Sequence, residues 1–108
     1  MNKKRRKAIE SVQRSILCYT IDESTYINFF KDIYSKVYLI QTEEEMAFDN
    51  MPENLQGSMR GCSSEEAIEC LGNATEYIEE IINNKFDEDS IDNLIDNITD
   101  ALDDAIYA

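Results

Sequence analysis

The sequence predicts an all-α fold, an antiparallel bundle of three or four helices. Three observations carry this expectation. Apolar residues recur at helical spacing through most of the chain. The 108 residues include only one Pro and three Gly, fewer than a strand-and-turn architecture uses. Each amphipathic segment presents an apolar stripe that needs another surface, and a three- or four-helix bundle covers them all. By length the chain is one domain, residues 1–108. Helices are expected at 3–19, 24–51, 64–83 and 89–106, with a joint at 52–63.

In the first segment Ala8, Ile9, Val12, Ile16 and Tyr19 share one face. Lys3, Lys4, Arg5, Arg6 and Lys7 crowd its first turns and oppose the helix dipole, by a few tenths of a kcal/mol each. Asp22 or Ser24 is placed to cap the next helix; a helix running unbroken through 20–25 is the alternative. The second segment carries Tyr26, Phe30, Ile33, Val37, Ile40, Ala47 and Met51 on one stripe, with Phe29, Tyr34, Tyr38 and Phe48 beside it. Six of the ten aromatics lie between Tyr19 and Tyr38, more than one narrow seam needs. The stretch 36–41 is rich in strand-prone residues, but its flanks are helical and it is read as helix.

Pro52 ends the second helix, because its ring disfavours the α conformation at Met51. Gly57, Ser58 and Gly61 prolong the break. Ser63 or Ser64 is expected to cap the third helix, and Ser63 with Glu66 fits a capping box. That helix aligns Ala67, Ile68, Leu71, Ala74, Thr75, Ile78, Ile81 and Ile82. Gly72 within it marks either a close approach or a kink, at about 1 kcal/mol relative to Ala. After the joint 83–85, Phe86 is an anchor and Asp89 or Ser90 the next cap. The last helix sets Ile91, Leu94, Ile95, Ile98, Leu102, Ala105 and Ile106 against an opposite face of Asp92, Asp96, Asp100, Asp103 and Asp104. Asp is a mediocre helix former, so its choice over Glu is notable.

Charge is sorted along the chain. Residues 1–42 hold eight Lys/Arg against four Asp/Glu, and residues 43–108 hold two against nineteen. A field of this kind bears on partners, not on fold. Folding back at Pro52 is expected to bring Lys31 and Lys36 near Glu76, Glu79 or Glu80. Cys18, Cys62 and Cys70 form no CxxC pair and read as reduced thiols of a cytoplasmic protein. Glu10, Gln13 and Arg14 interrupt the apolar run a signal peptide needs, and no window reaches the length of a membrane span.

The segment Glu43-Glu44-Glu45-Met46-Ala47-Phe48-Asp49-Asn50-Met51-Pro52-Glu53-Asn54-Leu55-Gln56-Gly57-Ser58 resembles a recurrent signature. It is that of small, largely uncharacterised acidic helical proteins of bacteria and their phages. Glu65-Glu66-Ala67-Ile68-Glu69 and the opening Asn2-Lys3-Lys4-Arg5-Arg6-Lys7 are similar to the same proteins, so the likeness covers about residues 2–16 and 43–82. It implies an antiparallel helical hairpin with Pro52 at its tip, here elaborated into the three- or four-helix bundle. It brings no activity and no site residue. Residues 18–40 depart from the pattern, their aromatics pointing to extra packing. At the joint, Asp49 and Asn50 are expected to bond nearby backbone groups, and Leu55 to fold back on the helix ends.

The chain has no His and lacks GxGxxG, GxxxxGK[ST] and HExxH patterns. Asp87-Glu88-Asp89 with Asp92 does not fit a calcium loop, which needs Gly at the sixth position, here Asp92. The expectation is therefore a protein that is not an enzyme and takes no cofactor or metal. It is read as a helical interaction protein with a protein partner or a second copy of itself. Its candidate surfaces are Asp92, Asp96, Asp100 and Asp103, and the aromatics Phe29, Tyr34 and Tyr38. The alternative is an acidic nucleic-acid mimic, of phage or mobile-element origin, that occupies a cationic groove. Direct nucleic-acid binding is expected only weakly, through Lys3–Lys7, and no membrane association is expected.

Overall fold

The computed structural model describes residues 1–108, and the side chains of all of them except residue 60. Five helices follow one another: α1 (Lys3–Leu17), α2 (Tyr26–Asp49), α3 (Glu53–Gln56), α4 (Met59–Asn83) and α5 (Glu88–Tyr107). No described residue lies in a strand. The four long helices run up, down, up and down. The longest, α4, packs along both α2 and α5, and α1 closes the ring by lying more lightly against α2 and α5. The result is an all-α bundle of 49 × 22 × 18 Å.

The stripes read from the sequence meet at the centre. Ile9, Val12 and Ile16 of α1 join Phe30, Ile33 and Val37 of α2, Leu71, Ala74 and Ile78 of α4, and Ile98, Leu102 and Ala105 of α5 in one core. Each fully buried Ile, Leu or Phe contributes roughly 1.5–3 kcal/mol. The strand-prone stretch 36–41 is helical. Its neighbours fix the period, and Val37 and Ile40 fall on the buried face that this period dictates.

The aromatic excess is spent at the α1–α2 turn. The chain leaves helix after Leu17, two residues earlier than expected, and is not continuous through 20–25. Tyr19 turns inward there. Its ring stacks on Phe29 at 3.9 Å and meets Phe30 edge-on at 5.8 Å, and its hydroxyl lies 2.8 Å from that of Thr25. Asp22 does not cap α2. Its carboxylate accepts from the Ser24 hydroxyl (2.6 Å) and amide (2.7 Å), which holds its pKa below the usual carboxylate value. Ser24 does not cap it either. Thr25 is the N-cap residue, its side chain making no capping bond to the helix, and α2 starts at Tyr26.

The joint differs most from expectation. Pro52 ends the α2 run, as its ring requires, but the chain then makes the one-turn α3, and α4 begins at Met59. Ser63 and Ser64 are inside α4 and cap nothing, so the Ser63–Glu66 box does not form. Close approach allows the early start. A Cβ on Gly61 would stand 2.0 Å from the carbonyl oxygen of Gln56. Among the described residues the side chains of Asp49 and Asn50 do not tie the joint. Gln56 donates its amide to the carbonyls of Phe48 (3.0 Å) and Met51 (3.3 Å), and Ser58 donates its hydroxyl to the carbonyl of Leu55. The Leu55 side chain itself remains exposed.

Gly72 marks an approach between helices. α4 runs unbroken through it, and a Cβ there would lie 3.2 Å from the amide nitrogen of Gln41 on α2. That nitrogen ends a flexible, partly exposed side chain. Gly72→Ala is therefore expected to stabilise the protein by roughly 0.5–1 kcal/mol, seen as a higher urea midpoint; a lower midpoint would mean that Gln41 cannot yield.

At the second joint Phe86 anchors as expected, 5.2 Å from the Tyr26 ring. The cap is Asp87 instead of Asp89 or Ser90. Its carboxylate accepts from the amides of Asp89 (3.1 Å) and Ser90 (3.4 Å). Glu88 and Asp89 then sit in the first turn, where the helix dipole favours negative charge.

Candidate functional site

The 3.6-residue period that turns Ile33, Val37 and Ile40 inward turns residues 31, 35, 38, 42 and 45 outward. Along this outer face of α2 the sequence retains large apolar groups. Tyr38 is 55% exposed, and Leu39 and Met46 are each 58% exposed. The core makes no use of them. Tyr38 is held nonetheless: its ring stacks on Tyr34 at 6.1 Å, nearly parallel. The Tyr34 hydroxyl in turn donates to Glu79 of α4 at 2.9 Å, and that bond to a carboxylate raises the tyrosine pKa. A rigid exposed ring loses little freedom on meeting a partner.

Beside this face runs a shallow groove of about 230 Å³ between α1 and α2. Ala8, Ser11 and Ser15 form its α1 wall, and Lys36, Leu39 and Ile40 its α2 wall. The small α1 residues leave it open, and it shares Leu39 with the apolar face.

The three aromatics singled out by the sequence part company here. Phe29 packs inward against Tyr19 and Phe30. Tyr34 is half-buried and acts as a support, and Tyr38 alone is well exposed. Leu39 and Met46 lie away from the apolar stripe of α2, so helical periodicity does not single them out.

The aspartates of α5 lie where the period puts them. Asp92, Asp96, Asp100, Asp103 and Asp104 are all exposed, and none forms an ion pair with a described residue. Asp103 accepts from the Gln13 amide of α1 at 2.7 Å. Asp104 faces Cys70; burial foremost, then the charges of Asp104, Glu66 and Glu69, pushes that thiol's pKa up. Cys18 and Cys62 are exposed and unpaired among the described residues.

Cross-hairpin pairing of Lys31 and Lys36 with Glu76, Glu79 or Glu80 does not occur. Lys36 reaches Asp32, one turn back on its own helix, at 3.0 Å. An exposed pair of this kind contributes little. The charge that is neutralised inside the fold is Glu44. This carboxylate, 1% exposed, lies on the buried side of α2. It accepts from Arg5 Nε at 2.6 Å and from the Ser64 hydroxyl at 2.8 Å, and the Met1 amino group stands 3.6 Å away. One acidic side chain thus ties α1, α2 and α4 together. The sequence signal was there: Glu44 occupies the helical position four residues after Ile40.

Among the described residues no three His, Cys, Asp or Glu side chains are grouped to hold a metal ion, and no helix is long and apolar enough to cross a membrane. Compared with protein-family models, with curated proteins and with solved structures, the chain matches none.

Proposed function

We propose that this chain is a non-enzymatic helical interaction protein that associates with itself, working in the cytoplasm. The observation that supports this reading is the outer face of α2, where Tyr38, Leu39 and Met46 stand in solvent with no role in the core. Apolar groups gathered on one face mark contact surfaces more often than scattered ones do. Tyrosine and methionine are also enriched at interfaces. Sedimentation velocity over a concentration series tests it. The wild type is expected to dimerise, and Leu39→Ser or Tyr38→Ser to shift it toward monomer. Both positions are exposed, so folding stability should change by only about 0.5 kcal/mol or less. A wild type that stays monomeric at the highest concentration refutes the proposal.

A second reading, mimicry of nucleic acid, draws support from the unpaired aspartate face of α5. Asp92, Asp96 and Asp100 recur every four residues, about 6 Å of helix rise apart. A row of exposed negative charge suits a cationic groove, and a phage or mobile-element setting belongs to this reading. Binding to a nucleic-acid enzyme should then weaken steeply with salt and vanish when the three become Asn. Binding unchanged by those substitutions sinks it.

A further inference from the structure

We infer that the self-associated form is a two-fold pair in which α2 of one copy lies antiparallel on α2 of the other, with the axis beside Tyr38. This rests on the self-association reading above and assigns it a geometry. The outer face of α2 carries a seam at alternating steps of four and three residues: Lys31, Ser35, Tyr38, Thr42 and Glu45. That spacing keeps the five positions on one side of α2 over several turns. The ends of the seam are equidistant from Tyr38, with Lys31 seven residues before it and Glu45 seven after, while Ser35 and Thr42 stand three before and four after.

The ends carry opposite charge, and this decides the direction. Laid antiparallel, the seam sets each Lys31 against the partner copy's Glu45, twice in the pair. Laid parallel, it sets Lys31 on Lys31 and Glu45 on Glu45, which is repulsive at both ends. Both side chains are exposed, and neither forms an ion pair with a described residue of its own chain. Ser35 and Thr42 are small and admit a close approach. Leu39 and Met46 flank the seam and supply the apolar area. The groove between α1 and α2, opening at Leu39, gives room for side chains of the second copy. Two helices about 36 Å long touching over a width of about 10 Å bury roughly 800 Å² in all. That is small for a stable dimer, so the pair is reversible and its population follows concentration.

Charge exchange tests the geometry, with dimer dissociation read by sedimentation velocity and folding checked by circular dichroism. Lys31→Glu and Glu45→Lys are each expected to raise the dissociation constant by about tenfold or more, and the double exchange to return it to within about threefold of wild type. The two single changes move the net charge in opposite directions, so a shared weakening cannot come from net repulsion. If the wild type dimerises, Leu39→Ser dissolves the dimer and neither charge variant alters it, self-association stands and this geometry falls. The geometry also falls if both single variants weaken the dimer and the double exchange does not restore it. If the wild type is monomeric throughout, the self-association reading fails and takes the geometry with it.

Discussion

Arg5→Ala is expected to destabilise the protein by about 3 kcal/mol, although it removes only one side chain from a helix that packs lightly. The reason is what it leaves behind. Glu44 stays in place at 1% exposure, keeping the Ser64 hydroxyl and a more distant amino group but losing its closest cation. Breaking one side of a buried pair strands a charge, and that penalty exceeds what the intact pair contributes over an apolar one. The corollary separates this account from simple loss of packing. In a Glu44→Leu, Ser64→Ala background no charge or hydroxyl remains to be stranded, and Arg5→Ala should then cost under about 1 kcal/mol. Urea denaturation of the four proteins closes the cycle. A cost of Arg5→Ala that is equal in both backgrounds would show that the pair is not coupled.

Gly61→Ala is expected to cost roughly 2–3 kcal/mol by overpacking the joint. The added methyl would stand 2.0 Å from the Gln56 carbonyl oxygen and 2.5 Å from its carbon. Both atoms are backbone, so no side chain can swing aside; α3 must move off α4, and with it the Gln56 amide that ties the end of α2. Gly57 four residues earlier is the control. A Cβ there meets nothing within 4 Å, and its φ of −84° suits any residue. Gly57→Ala should leave stability unchanged or raise it by about 0.5 kcal/mol. Equal effects at the two glycines, measured by thermal or urea unfolding, would overturn the assignment of close approach to Gly61.

How far the sequence could be read depended on whether a residue's position follows from its own helix. The stripes of α1, α2, α4 and α5 did follow, as did the Pro52 stop and the Phe86 anchor, because period and ring geometry act locally. The caps were missed by one to several residues. Asp22 and Ser24 both satisfy the local rule for α2, as Asp87 and Asp89 do for α5, and the local rule does not choose within either pair. The start of α4 was missed by five residues, because only the approach of Gln56 to Gly61 permits it, and that contact joins two elements. The site divided in the same way. The α5 aspartates lie on the face that periodicity gives them, and Tyr38 is exposed as its position beside the stripe suggested. Phe29 is not, since a partner in the α1–α2 turn claims it. Glu44 illustrates the converse: a charged residue at a core position is legible as an anomaly, but its resolution by Arg5 and Ser64 is a matter of three helices meeting.

The light attachment of α1 has a consequence for the order of events on the ribosome. The Gln13 amide bonds to Asp103, ninety residues later in the chain. The hairpin of α2 and α4 has all its parts well before that point. In synthesis α1 emerges before α2, α4 and α5 and finds its last neighbour only when α5 has been made, so the side of its apolar stripe that faces α5 stays uncovered through most of translation. Closure of the ring is the late, non-local step of folding. In the finished protein the same segment should be the first to open, with the amides of α1 exchanging ahead of those in α4.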